Sequence, residues 1–182
     1  MKNTAEYILT GGQFEEIDCS EAVLNVNYPA LTSSIVRLGL WGIVFHLRDH
    51  PLPEVPQVLA SAQSSDMAYL PDWSSITFTE VHEVEVRVAP YLPSFDRDGV
   101  LDREAGEPTE LHKLWKSADQ RAPLHTYGFD CVLDQPYGYC SLFIRACGTA
   151  KLTYRPDLLI PFSEYQADPK SFGWWEVGRL RV

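Results

Sequence analysis

The chain reads as an α+β protein, predominantly antiparallel β-sheet with two or three helices packed on it. Three observations predict this. Runs in the middle and last third alternate apolar and polar residues with the two-residue period of a half-buried strand. These runs are short and are separated by turns containing Pro, Gly and Asp, as in a meander. Aromatic residues make up 12% of the chain, with five Trp and nine Tyr, which suits a broad pleated surface better than a plain helical bundle.

At 182 residues, 45% hydrophobic and 22% charged, the chain is long enough to bury a core without disulfide or metal staples. No internal repeat or low-complexity stretch divides it, and we read 1–182 as one globular domain.

In chain order, residues 32–50 fit a helix, with Thr32 or Ser33 as N-cap and Pro51 as stop. Leu31, Ile35, Leu38 and Phe45 then fall on broadly one side. Gly39 and Gly42 each cost about 1 kcal/mol against Ala in a helix interior, and Ile35, Val36, Ile43 and Val44 are β-branched. A hairpin turning at Trp41 and Gly42 is therefore the alternative. Pro51, Pro53 and Pro56 make an extended connector, residues 58–63 a short helix, and Pro71-Asp72 a turn. Residues 75–89 form a half-buried strand, with Ile76, Phe78, Val84, Val86 and Val88 on one parity and Thr77, Thr79, Glu83, Glu85 and Arg87 on the other. Glu80 and His82 fall on the apolar parity, so either a bulge near 79–81 turns them out or they point inward as a polar pair.

Residues 94–107 read as a loop. Leu111, Leu114, Trp115 and Ala118 recur at helical spacing behind Pro108 and predict a helix. The last third is a meander, with strands over 125–133, 139–147, 151–155 and 158–162 and turns at 134–138 and near Gly148. Residues 174–182 are expected to be a terminal strand, with Trp174, Leu180 and Val182 on one parity.

Composition says more about partners than about chemistry. Asp and Glu number 25 against 15 Lys and Arg, a net charge of −10. The acids concentrate early, where Glu6, Glu15, Glu16, Asp18 and Glu21 face Lys2, and bases recover after Ser141. A field of this sign repels phosphate backbones and anionic lipid, which argues against nucleic acid and membrane, and it speeds encounter with a basic protein surface. The longest apolar stretch, 35–47, is interrupted by Arg37 and His46 and falls short of the roughly 20 residues that a membrane-spanning helix needs. The N-terminal residues carry no leader pattern, so a cytoplasmic location is expected, with Cys19, Cys131, Cys140 and Cys147 reduced and buried.

The chain lacks a Gly-rich phosphate loop, a Gly-x-Ser-x-Gly elbow, a His-Glu-x-x-His helix and a Cys-x-x-Cys pair. Asp96-Arg97-Asp98-Gly99, followed by Asp102, Glu104 and Glu107, has the oxygen density of a calcium loop. With Gly99 at the sixth position, however, Ala105 falls where the bidentate carboxylate belongs. Asp96, Asp98, Asp102, Glu104 and Glu107 are read instead as a partner-binding loop that meets Arg and Lys through charge-assisted hydrogen bonds. His46 and His50 would share a helix face, but without a third ligand they read as a helix C-terminal cap. His125 and Cys131 would lie about 20 Å apart along a strand, too far for a thiol and its base, so the cysteines read as inert core.

Glu80 and His82, about 7 Å apart along the strand, are the candidate acid–base pair, with Trp73, Tyr127 or Phe129 as pocket-lining rings beside them. No catalytic residue, metal or cofactor is assigned. The expectation is an acidic protein-binding module covering a basic surface of a partner protein, in the manner of inhibitors and immunity proteins. The alternative is an enzyme or small-ligand-binding protein with a sheet-lined pocket near Glu80 and His82.

Overall fold

The structure is a computed structural model that describes residues 4–9, 17–18, 22–25, 34–46, 52–60, 67–95, 101–105, 112–116, 125–133 and 138–172. Its strands are β1 (Ala5–Leu9), β2 (Ile17–Asp18), β3 (Val23–Asn25), β4 (Val36–His46), β5 (Met67–Phe78), β6 (Val81–Phe95), β7 (Leu101–Ala105), β8 (His112–Lys116), β9 (His125–Leu133), β10 (Gly138–Ala146), β11 (Ala150–Tyr154) and β12 (Ile160–Pro161). Two short helices complete it, α1 (Val55–Ala60) between β4 and β5 and α2 (Phe162–Ala167) after β12. The fold is thus mostly antiparallel β-sheet with small helices, as the alternation predicts. The one parallel pair among the described strands joins β3 to β9, at Val23 with Val132 and Leu24 with Leu133.

A bent two-strand ribbon organises the sheet. β5 runs on into β6, β10 runs on into β11, and the two passes stay paired across the bend: Ala150 faces Phe78 on one side and Arg145 faces Glu83 on the other. Both chains advance by five residues between these pairs, so the register carries through the corner. The corner is held by backbone bonds from Thr79 N–H to the Thr149 carbonyl (3.0 Å) and from Cys147 N–H to the Glu80 carbonyl (3.1 Å). Beyond it, β5 pairs with β4, β4 with β3, β3 with β9 and β9 with β10, so the hydrogen-bonded path returns to the ribbon. It closes around one core, in which Phe78 of β5 packs on Tyr127 of β9 with ring centroids 5.2 Å apart.

Two interruptions of strand parity explain where the periodicity misled. In β4, Trp41 faces Trp73 but Ile43 faces Leu70, and Gly42 sits at the irregularity with φ of 80°. The buried inward set therefore switches from Val36, Leu38 and Leu40 to Ile43 and Phe45. Residues 36–46 are accordingly one strand, neither the helix nor the hairpin expected within 32–50, and the extra residue of the bulge lies on β5, where Pro71 and Asp72, read as a turn, oppose Gly42 within continuous strand. Only glycine holds this φ without strain, and a Cβ there would lie 2.7 Å from the Tyr69 hydroxyl.

The other irregularity lies just beyond the corner. Ala146 faces Val81 whereas Arg145 faces Glu83, which leaves His82 as the extra residue of a bulge. Glu80, two residues before His82, has φ of 50°.

Four further expectations are corrected. The helix read over Leu111 to Ala118 is strand at β8, where pairing with β6 from Glu83 to Val86 supplies the backbone partners. The loop read over 94–107 is strand at 101–105, because β6 continues to Phe95 and β7 pairs with it. The strand read over 158–162 is a two-residue bridge to β5 followed by α2. The first short helix starts at Val55, with Pro56 in its first turn, where its missing N–H has no intrahelical partner to lose. Residues 174–182, the expected terminal strand, lie outside the described residues.

Candidate functional site

The outer surface of β9, β10 and β6 is built by simple alternation. On β10, Cys140, Leu142, Ile144 and Ala146 point into the core, which leaves Tyr139, Ser141, Phe143 and Arg145 on the opposite side. Tyr139 and Phe143 are 42% and 37% exposed, unusual for rings in the middle of a sheet. Phe143 faces Gly128 on β9, and its ring lies so close that a Cβ at Gly128 would meet it at 3.2 Å. The glycine gives the ring a flat bed to lie on.

Between the two rings, Ser141 donates a hydrogen bond to the exposed Asp130 carboxylate (2.5 Å), and beyond Phe143, Arg145 pairs with Glu83. Glu83 is buried, and the Arg145 guanidinium compensates its charge.

The acidic residues are distributed differently from a loop. Asp102 and Glu104 lie on β7, facing Ser94 and Leu92 of β6 respectively. The β6–β7 pairing begins at Tyr91 with Ala105, directly after β10 ends at Gly138 opposite Pro90. Leu92 lies three residues beyond Ala89, the partner of Tyr139, so Glu104 is placed about 10 Å further along the strand and on the opposite strand parity. Asp96, Asp98 and Glu107 lie outside the described residues.

The corner gathers a second set of groups. The Cys147 sulfur is 2.9 Å from Nε2 of His82, and both side chains are half-buried. Nδ1 of His82 is buried and has no hydrogen-bond partner among the described residues. Glu80 is exposed at the turn, so the group that His82 meets is the thiol. Cys131 and Cys140 face each other across β9 and β10, both buried, with the Cys131 thiol donating to the Cys140 carbonyl at 3.6 Å. His46 ends β4 opposite Met67, on a strand, which removes the helix-capping role expected of it with His50. Of the rings named as pocket lining, Tyr127 is core and Trp73 is 45% exposed. Among the described residues, no group of three or more His, Cys, Asp or Glu converges as metal ligands do.

Sequence reasoning missed Cys147, Tyr139 and Phe143, though each left a signal. Tyr139 and Phe143 share their parity with Ser141 and Arg145, which marks them as outward-facing rings. The break at Glu80 and His82 and the predicted turn near Gly148, laid antiparallel, bring His82 and Cys147 together.

Titration behaviour is altered elsewhere. Burial, reinforced by the hydrogen bond it donates to Glu54 (2.7 Å), raises Tyr154 well above the usual phenol range. Burial also raises Tyr127. The Arg155 guanidinium hydrogen-bonds Asp157 and holds its carboxyl below the usual range.

Comparison with protein-family models, curated proteins and solved structures returns no match. No helix among the described residues is long and apolar enough to cross a membrane.

Proposed function

We propose that the protein is an acidic binding module whose contact face is the outer surface of β9, β10 and β6, continued by the β6–β7 arm. The observation that carries this reading is the pair of exposed rings, Tyr139 and Phe143, set on rigid central strand rather than on a loop. Rings held this way lose little conformational freedom on binding and supply the few anchors that dominate interface energy. Asp130 stands beside them, and the arm that carries Asp102 and Glu104 begins at the Tyr139 end. With a net charge of −10, the complementary surface is a basic face of another protein, and inhibition by covering that face is the mode of action we infer.

A partner captured from the source cells with the full chain as bait, then purified, allows the direct test. Its association rate should fall from low to physiological salt, and should fall further when Asp102→Asn and Glu104→Gln are combined. An association rate indifferent to both salt and this double substitution would overturn the reading.

A further inference from the structure

We propose that Cys147 and His82 form a reactive-thiol site at the ribbon corner, oxidised by small hydroperoxides with His82 as proton acceptor. The geometry is that of a nucleophile and its base: sulfur and Nε2 lie 2.9 Å apart. The fold re-aims His82 for this contact, since it is the unpaired residue of a bulge that follows Glu80 at φ of 50°.

The ring is not a satisfied core histidine. Among the described residues its buried Nδ1 has no partner, and the hydrogen-bond partner they give the ring is the Cys147 thiol at Nε2. The other half of the pair is equally fixed. Cys147 N–H is bonded to the Glu80 carbonyl, and Gly148 packs so tightly on the Thr79 carbonyl and hydroxyl that a Cβ would collide with both.

The same tightness selects the reagent. A half-buried thiol between two chain passes is reached by a small, uncharged molecule and not by an extended substrate. In the reaction, the thiol proton passes to Nε2 of His82 as the sulfur lone pair attacks the hydrogen-bearing oxygen of the hydroperoxide. The O–O bond breaks, and the departing oxygen takes a proton from the imidazolium and leaves as water or alcohol. The sulfur, oxidised by two electrons, becomes a sulfenic acid.

The test treats the full chain with hydrogen peroxide, traps sulfenic acid with dimedone and resolves the sites by mass spectrometry. Cys131 and Cys140, both buried, are internal controls. Cys147 should be trapped at least about tenfold faster than either control, and about tenfold faster than Cys147 in urea-unfolded chain. His82→Gln should slow it on the order of a hundredfold, the lower end of general-base contributions. Should His82→Gln fail to fold, the folded-against-unfolded comparison of the unaltered chain decides alone. Trapping at Cys147 within twofold of the unfolded rate, or unchanged in a folded His82→Gln protein, would overturn the proposal.

Discussion

From Leu40 to Phe45 every residue of β4 is buried, whereas along β10 buried side chains alternate with exposed or half-exposed ones from Tyr139 to Ala146. The two strands belong to the same sheet and differ in what covers their second face. Over β4 and β5 a set of rings closes that face: Tyr69 stands edge-on to Trp41 and packs on Tyr165 of α2, with centroids 4.1 Å apart, while Phe162 and Phe172 extend the cluster. Tyr139 and Phe143, by contrast, keep 42% and 37% of their surface exposed. The aromatic content of this chain therefore serves two ends, a structural lid on one side of the corner and an exposed face on the other.

The largest effect that would break this comparison is in the core. Phe45→Ala, at a fully buried site of the doubly covered strand, should cost about 3–5 kcal/mol in denaturant unfolding, whereas Phe143→Ala should stay within about 1 kcal/mol. Equal costs would mean that Phe143 is core after all.

The two tight glycines come next. Gly148→Ala drives a Cβ into the Thr79 backbone, which cannot swing aside, and should destabilise by more than about 2 kcal/mol. Gly42→Ala meets a side-chain end, the Tyr69 hydroxyl, rather than backbone, and strains one residue at φ of 80°, at about 1–2 kcal/mol. A reversed order would place the rigid element in the lid and not in the corner.

The smallest effect is a sharpening one. Tyr154→Phe should cost about 1 kcal/mol near neutral pH through the lost bond to Glu54. Folding holds the Tyr154 phenol neutral, so this contribution is whole below the ordinary phenol pKa of about 10 and drains away as pH rises past it. Stability of the unaltered chain should consequently fall more steeply above that pH than stability of Tyr154→Phe; parallel curves would refute the coupling.

The same contrast explains what the sequence made legible. β9 matches the expected 125–133, and β10 and β11 fall within a residue of theirs, because each buries one face and so alternates. Residues 36–46 hid their strand because Trp41 and Val44 are buried outward while the irregularity at Gly42, opposite the β5 bulge, switches the inward parity, which erases the two-residue period. The spacing of Leu111, Leu114 and Trp115 imitates a helix over a stretch whose state is set by a partner strand far away in sequence. At the candidate sites, residue types were visible and pairings were not. Glu80 and His82 stood out as polar intruders on an apolar parity, but the thiol that meets His82 lies 65 residues further on, in the bend after β10.

The central claim is that Tyr139 and Phe143 anchor a partner and do not hold the fold. It is tested most directly by combining Tyr139→Ala with Phe143→Ala and measuring both the melting midpoint and the dissociation rate of the captured partner. The account predicts a melting midpoint close to that of the unaltered chain and dissociation faster by roughly tenfold or more, the effect of losing an anchor worth at least 1.4 kcal/mol. A folded double variant that releases its partner at the unaltered rate would contradict it.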